Sequence, residues 1–120
     1  TILVSILWIN NETGVIQDLK SISSIVKNSN AKLFVDATQA IGKFPIDVKQ
    51  MEIDMLCLSA HKFHGPKGIG ALVIKDNIQI RPLIIGGGQQ NNLRSGTENI
   101  PAIAGFMTAC ELLKNKNTNH

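Results

Sequence analysis

The residue best placed for chemistry is Lys62, which closes Ser59-Ala60-His61-Lys62 directly behind an apolar run and is followed by Phe63-His64-Gly65-Pro66-Lys67-Gly68. Burial and neighbouring positive charge lower a lysine's pKa and free its amine to attack a carbonyl carbon. The context predicts a partly desolvated, nucleophilic lysine, set against the plainer expectation of a lysine that ends a strand and reaches solvent. Asp36 stands near the end of another short apolar run, residues 32–37. A carboxylate there is costly without a cationic partner, although the same residue type also caps loops by accepting backbone N–H groups.

A lysine nucleophile together with an aspartate that can hold a proton on a pyridine nitrogen is the donor pair that pyridoxal phosphate requires. Around that pair, Gln39 and Asn11 have the amides to hydrogen-bond the ring hydroxyl or orient the ring, and Ser59 and His61 can donate to a phosphate alongside backbone amides. Each also has a structural reading, as a loop amide or as a packed or capping histidine. Gly86-Gly87-Gly88 lacks the spacing of the nucleotide-binding glycine loops. Arg94-Ser95-Gly96-Thr97 suits a phosphate better, joining a guanidinium and hydroxyls to a helix start. His64, His120, Cys57 and Cys110 have no metal-ligand spacing, so no metal site is expected. Cys57, flanked by Met55, Leu56 and Leu58, reads as core.

Three apolar runs must deliver the three polar segments. Residues 2–9 read as a buried parallel strand that ends in Asn10-Asn11-Glu12-Thr13-Gly14. Asp18 then caps a helix with Leu19, Ile22, Ile25 and Val26 at helical spacing, stopped by Asn28-Ser29-Asn30. Strands follow at 32–37, 53–59 and 70–75, with a turn at 43–47 and a glycine-rich loop at 84–96. A last helix starts at Ile100 with Pro101 in its first turn, carries Ile103, Phe106, Met107, Cys110 and Leu113, and gives way to a polar tail, 115–120. The pattern is α/β, a mostly parallel sheet with flanking helices, and right-handed crossovers would gather the strands' carboxyl ends on one edge, where ligands bind. No repeat, low-complexity stretch or linker divides residues 1–120.

Composition narrows the function classes. The 120 residues are 43% apolar and 18% charged, an ordinary globular balance that excludes disorder. Twelve Lys+Arg against nine Asp+Glu give +3, but Arg81 and Arg94 are the only arginines, so no guanidinium cluster exists to grip nucleic acid. The longest apolar run, 2–9, is far short of the roughly 20 residues of a spanning helix, so no membrane partner is expected. The chain opens in a strand-like segment with its first methionine at Met51 and reads as an internal piece of a longer protein. Two cysteines without a CxxC pair point to a reducing compartment.

Over residues 4–114 the sequence resembles the cysteine desulfurases, pyridoxal-phosphate enzymes of the class V aminotransferase superfamily. The markers are Asn10-Asn11-Glu12-Thr13-Gly14, Val35-Asp36-Ala37-Thr38-Gln39, Ser59-Ala60-His61-Lys62, Gly65-Pro66-Lys67-Gly68-Ile69-Gly70-Ala71, Gly86-Gly87-Gly88-Gln89 and Arg94-Ser95-Gly96-Thr97-Glu98-Asn99. The last two resemble the branch that serves general and nitrogenase iron–sulfur assembly. The resemblance implies part of the large domain of a fold-type I enzyme, with Lys62 as the covalent cofactor anchor, Asp36 on the ring nitrogen, Gln39 on the ring hydroxyl and Asn11 beside the ring. Ser59 and His61 would take the phosphate, and Thr97 the phosphate of a neighbouring subunit's cofactor, so a homodimer is implied. Its substrate would be L-cysteine, its sulfur acceptor an iron–sulfur scaffold protein, and its location the cytoplasm or, in a eukaryote, an organelle matrix.

Where the family usually has glycine before the histidine, this chain has Ala60, which would add a methyl near the cofactor and be strained if positive φ is needed. The family's sulfur-accepting cysteine and substrate-carboxylate arginine would lie beyond the chain's end, and its ring-stacking histidine before the start. Neither Cys57 nor Cys110 matches the sulfur-accepting position, so these 120 residues alone are expected to be inactive. Two other readings stand beside desulfurase: another class V aminotransferase or selenocysteine lyase, and a non-catalytic piece that provides a dimerisation or scaffold-contact surface.

Overall fold

A computed structural model describes residues 1–117. Four strands, β1 (Leu3–Leu7), β2 (Lys32–Asp36), β3 (Met55–Ser59) and β4 (Gly70–Ile74), form one sheet in the order β1-β2-β3-β4. Helix α1 (Leu19–Lys27) connects β1 to β2, a short 3-10 helix (Ala60–Phe63) follows β3, and α2 (Ile100–Asn117) ends the described chain. β1, β2 and β3 are mutually parallel, while β4 runs antiparallel to β3. That reversal follows from length: residues 60–69 are all that join the two strands, and a parallel return takes about a dozen residues or more.

Strand alternation divides the sheet into two unlike faces. Leu33, Val35 and Leu56 point to one face and are essentially inaccessible. There they form the core with Leu19 and Val26 of α1, and Val4, Ile6, Ile22 and Leu58 pack around it. Burying side chains of this size contributes about 1.5–3 kcal/mol each, so this face carries the stability. The opposite face carries Leu7, Asp36, Cys57 and Leu72 in one transverse row, set by the pairings Leu7 with Asp36, Asp36 with Cys57, and Cys57 with Leu72.

Helix α1 begins where expected. Asp18 Oδ1 accepts the Ser21 N–H at 3.1 Å, and Oδ2 accepts the Ser21 hydroxyl at 2.6 Å. Its inward stripe is Leu19, Ile22 and Val26 with Ser23, whereas Ile25 is exposed. At the amino ends of the strands, Asp54 accepts the Leu33 N–H at 2.9 Å on Oδ2 and meets Lys75 Nζ at 3.2 Å on Oδ1. The sheet is trimmed relative to its apolar runs: 2–9 yields Leu3–Leu7 and 53–59 yields Met55–Ser59, with Ile53 buried just ahead of the ladder. Of the expected tail 115–120, residues 115–117 continue α2 and 118–120 lie outside the described residues.

Candidate active site

Parallel pairing of β1, β2 and β3 brings their carboxyl ends to one edge. The ladder continues past the last paired residues: the Trp8 N–H donates to the Asp36 carbonyl at 3.0 Å and the Ala37 N–H to the Cys57 carbonyl at 2.9 Å. Asp36 is therefore fixed from both sides by backbone, and its half-buried carboxylate stands at the centre of the edge. Asp36 Oδ1 accepts the Thr38 N–H at 2.8 Å, so the residue is a loop cap on one oxygen and leaves the other free for a second role. Beyond it a helical turn carries Gln39, half-buried, whose carbonyl accepts Lys43 Nζ at 2.9 Å.

At the end of β3, Ser59 Oγ and His61 Nδ1 are 2.8 Å apart. The 3-10 helix then turns sharply: His64 adopts φ 71° and the Gly65 N–H donates to the Ala60 carbonyl at 2.9 Å. Ala60 is fully buried and is not among the positive-φ residues. A Cβ placed on Gly65 would come within 2.8 Å of the Ala60 methyl, so the following turn packs closely on that methyl. Positive φ is not needed at Ala60, so the alanine is accommodated there without strain. Gly70 is required on other grounds, because a Cβ there would lie 2.4 Å from the Leu58 carbonyl oxygen, where β4 presses against the end of β3.

Lys62 lies in this turn with an exposed side chain. The expectation of partial desolvation does not hold in this structure, where α2 packs against the Phe63 side of the turn and Lys62 stays exposed. Asn11 is exposed at the tip of a hairpin-like loop, closed by bonds between Asn10 and Val15 and between Asn10 and Gly14. It is Asn10 that builds this loop, its Oδ1 accepting the Glu12 and Thr13 N–H groups at 3.0 and 2.9 Å.

Thr97 is exposed just ahead of α2, and no described hydrogen bond joins it to the strand ends. The loop before it is occupied with its own closure. The Ser95 hydroxyl, buried, accepts the Gly88 N–H at 3.3 Å, Gln89 Oε1 accepts the Gly96 N–H at 3.0 Å, and the Arg94 guanidinium donates to the Ser95 carbonyl at 2.9 Å. Ser95 and one guanidinium nitrogen of Arg94 thus help to close the loop.

Cys57 was missed as a site neighbour. It is half-buried on the Asp36 face, not in the core with Leu56. Burial pushes its thiol up, and the Asp36 carboxylate on the paired strand pushes it further. Alternation along β3 was the signal available for this, but the uniformly apolar run hid it. Among the described residues no group of three His, Cys, Asp or Glu side chains could hold a metal ion, and no helix is long and apolar enough to cross a membrane.

All 120 residues match the family described as aminotransferase class-V. The chain belongs to that family. Among relatives of this class-V aminotransferase chain is a cysteine desulfurase IscS of Methanosarcina thermophila, 52% identical over 112 residues, 93% of this chain and 28% of the relative. A solved NifS-like protein superposes with a TM-score of 0.92 at 47% identity, over 99% of this chain and 33% of that one. A structure of SspA in complex with cysteine gives a TM-score of 0.88 at 45% identity, over 92% of this chain and 32% of that one. The class-V chain thus spans about a third or less of the proteins it matches.

Proposed function

We propose that this chain is the central part of the cofactor-binding domain of a pyridoxal-phosphate-dependent L-cysteine desulfurase. The observation that carries this reading is the edge where Asp36, locked between two backbone ladder bonds, neighbours the Ser59–His61 pair and Lys62. The donor set fits the cofactor: an acidic oxygen left free for a protonated ring nitrogen, paired hydroxyl and imidazole donors for a phosphate, and an accessible amine for a carbonyl carbon. When bound, pyridoxal phosphate supplies an electron sink for charge developing at the substrate's α-carbon.

In this reading Lys62 anchors the cofactor and, once released by substrate, moves the α-proton with Nζ. Asp36 keeps the ring nitrogen protonated, Gln39 bonds the ring hydroxyl, Asn11 lies beside the ring, and Ser59 with His61 holds the phosphate. Thr97 serves the phosphate of a second subunit, which makes the enzyme a homodimer. The cysteine-bound SspA relative supports L-cysteine as substrate, with L-alanine as product and the sulfur leaving for an iron–sulfur scaffold. Both cysteines are free thiols, in keeping with a reducing compartment such as the cytoplasm or an organelle matrix. The sulfur-accepting cysteine belongs to a part of the parent protein outside this chain.

The test is made on the full-length protein loaded with pyridoxal phosphate. Borohydride reduction and peptide mapping should find the pyridoxyl mass on the Lys62 peptide, and L-cysteine should yield alanine and sulfide under a reducing thiol. The mass on Lys67 or Lys75 would overturn the anchor. Amino transfer to a keto acid without sulfide would favour the other class-V reading, and release of selenide but not sulfide would favour a selenocysteine lyase.

A further inference from the structure

Asp36 has two carboxylate oxygens, and the loop satisfies one of them through the Thr38 N–H. A single bond leaves the carboxyl plane free to swing, because the terminal torsion of aspartate is broad. The other oxygen has two lone pairs, room for a ligand and for one neighbouring donor, and whatever fixes it decides where the charge points. On the sheet face that carries Asp36, the residue paired with it from β1 is Leu7, which has no donor. The residue paired with it from β3 is Cys57, which has one. On the far side of Cys57, β4 contributes Leu72, and Met55 lies two residues away along β3. Among the described residues Asp36 is the charged group that acts on the Cys57 thiol.

We propose that Cys57 is a positioning residue, its thiol donating to the Asp36 carboxylate from the neighbouring strand and fixing the plane in which Asp36 meets its ligand. A thiol is a weak donor to a neutral acceptor and a better one to a charged carboxylate. The two residues differ in what they do. Asp36 touches the ring, and Cys57 acts only through Asp36. Its thiol is pushed up by burial and by Asp36, the opposite of what a nucleophile needs.

The inference rests on the assignment of Asp36 to the ring nitrogen, and the experiment separates the two. The full-length enzyme, loaded with pyridoxal phosphate, is compared with Cys57→Ala, Cys57→Ser and Asp36→Asn. Cys57→Ala should lower kcat about threefold to tenfold with KM within about twofold, and should displace the visible absorption band and its pH midpoint. Cys57→Ser, which keeps a donor of similar size, should restore both. In the cofactor-free protein, alkylation of Cys57 followed by peptide mass should show a lower pH midpoint in Asp36→Asn, because the charge that raises the thiol is gone. Equal spectra and rates for the Ala and Ser variants, or an unmoved alkylation midpoint, would overturn the positioning role while Asp36→Asn still alters the band. A band and turnover unaltered by Asp36→Asn would overturn the ring-nitrogen assignment itself.

Discussion

Ser59 Oγ and His61 Nδ1 lie 2.8 Å apart, joining the last residue of β3 to the first turn beyond it. One hydrogen bond orders two donors that would otherwise rotate independently in a turn open to water. An anion arriving at this corner meets donors whose ordering cost has already been met by the fold. In the full-length enzyme, Ser59→Ala should weaken pyridoxal phosphate binding about tenfold, the scale of one bond to a charged group. Equilibrium dialysis measures it, and His61→Ala should weaken binding at least as much, since it removes the same pair.

Asp36→Asn separates the two roles of that side chain. An asparagine oxygen can still accept the Thr38 N–H, so the loop stays closed, but the negative charge is lost. Turnover should fall by a factor of ten or more while cofactor remains bound, a pK unit of ring basicity corresponding to about 1.4 kcal/mol. Turnover within about a factor of two of wild type would leave Asp36 as a loop cap alone.

Asp54 holds the opposite end of the sheet, and its removal should affect stability without touching chemistry. In Asp54→Ala the Leu33 N–H is left without its acceptor and Lys75 without its partner. The expected loss is about 1–3 kcal/mol, read as a lower urea midpoint of the full-length enzyme with KM for L-cysteine unchanged.

Asp18 predicts a pH dependence. The Ser21 hydroxyl, then the Ser21 N–H, hold its carboxyl below the ordinary value of 3.8. A carboxylate depressed on folding stabilises the native state above its unfolded pKa and loses that contribution as pH falls through the folded value. Wild type and Asp18→Asn should therefore differ in the urgency with which α1 amides exchange at pH 6, and the difference should shrink below pH 4. Hydrogen exchange of residues 19–27 provides the measurement.

Cys110 carries the remaining thiol, exposed on α2 and pushed up by burial first and by the charge of Glu111 second. Neither influence favours a thiolate. Cys110→Ser in the full-length enzyme should keep sulfide release within about a factor of two of wild type, and abolition of release would identify it as the sulfur acceptor.

Much of this arrangement is legible in the residues. The apolar runs locate all four strands, Asp18 and Asn28 bracket α1, and the polar segments after β1, β2 and β3 do reach one edge. The sheet is mostly parallel as its runs suggest, and β4 alone reverses because the 60–69 connection is too short to cross over, a constraint of reach and not of residue type. The misreadings have physical causes. Cys57 sits in a run with no polar alternation, so its face is set by pairing with β2 and cannot be read from β3 alone. Lys62 is exposed because desolvation depends on what lies over a turn and not on the neighbours in sequence.

The two unlike faces of the sheet also have a consequence for how such a sequence can diverge. Leu33, Val35 and Leu56 decide whether the strands assemble, while Asp36 and Cys57, one residue further along, look the other way. Substitutions that enlarge or shrink the packing beneath reach the reactive edge through the backbone ladder alone, which tolerates little translation. Drift in the core is thereby filtered before it can retune reactivity, and a lineage can alter what the edge prefers by changing alternate residues without reopening the question of whether the chain folds.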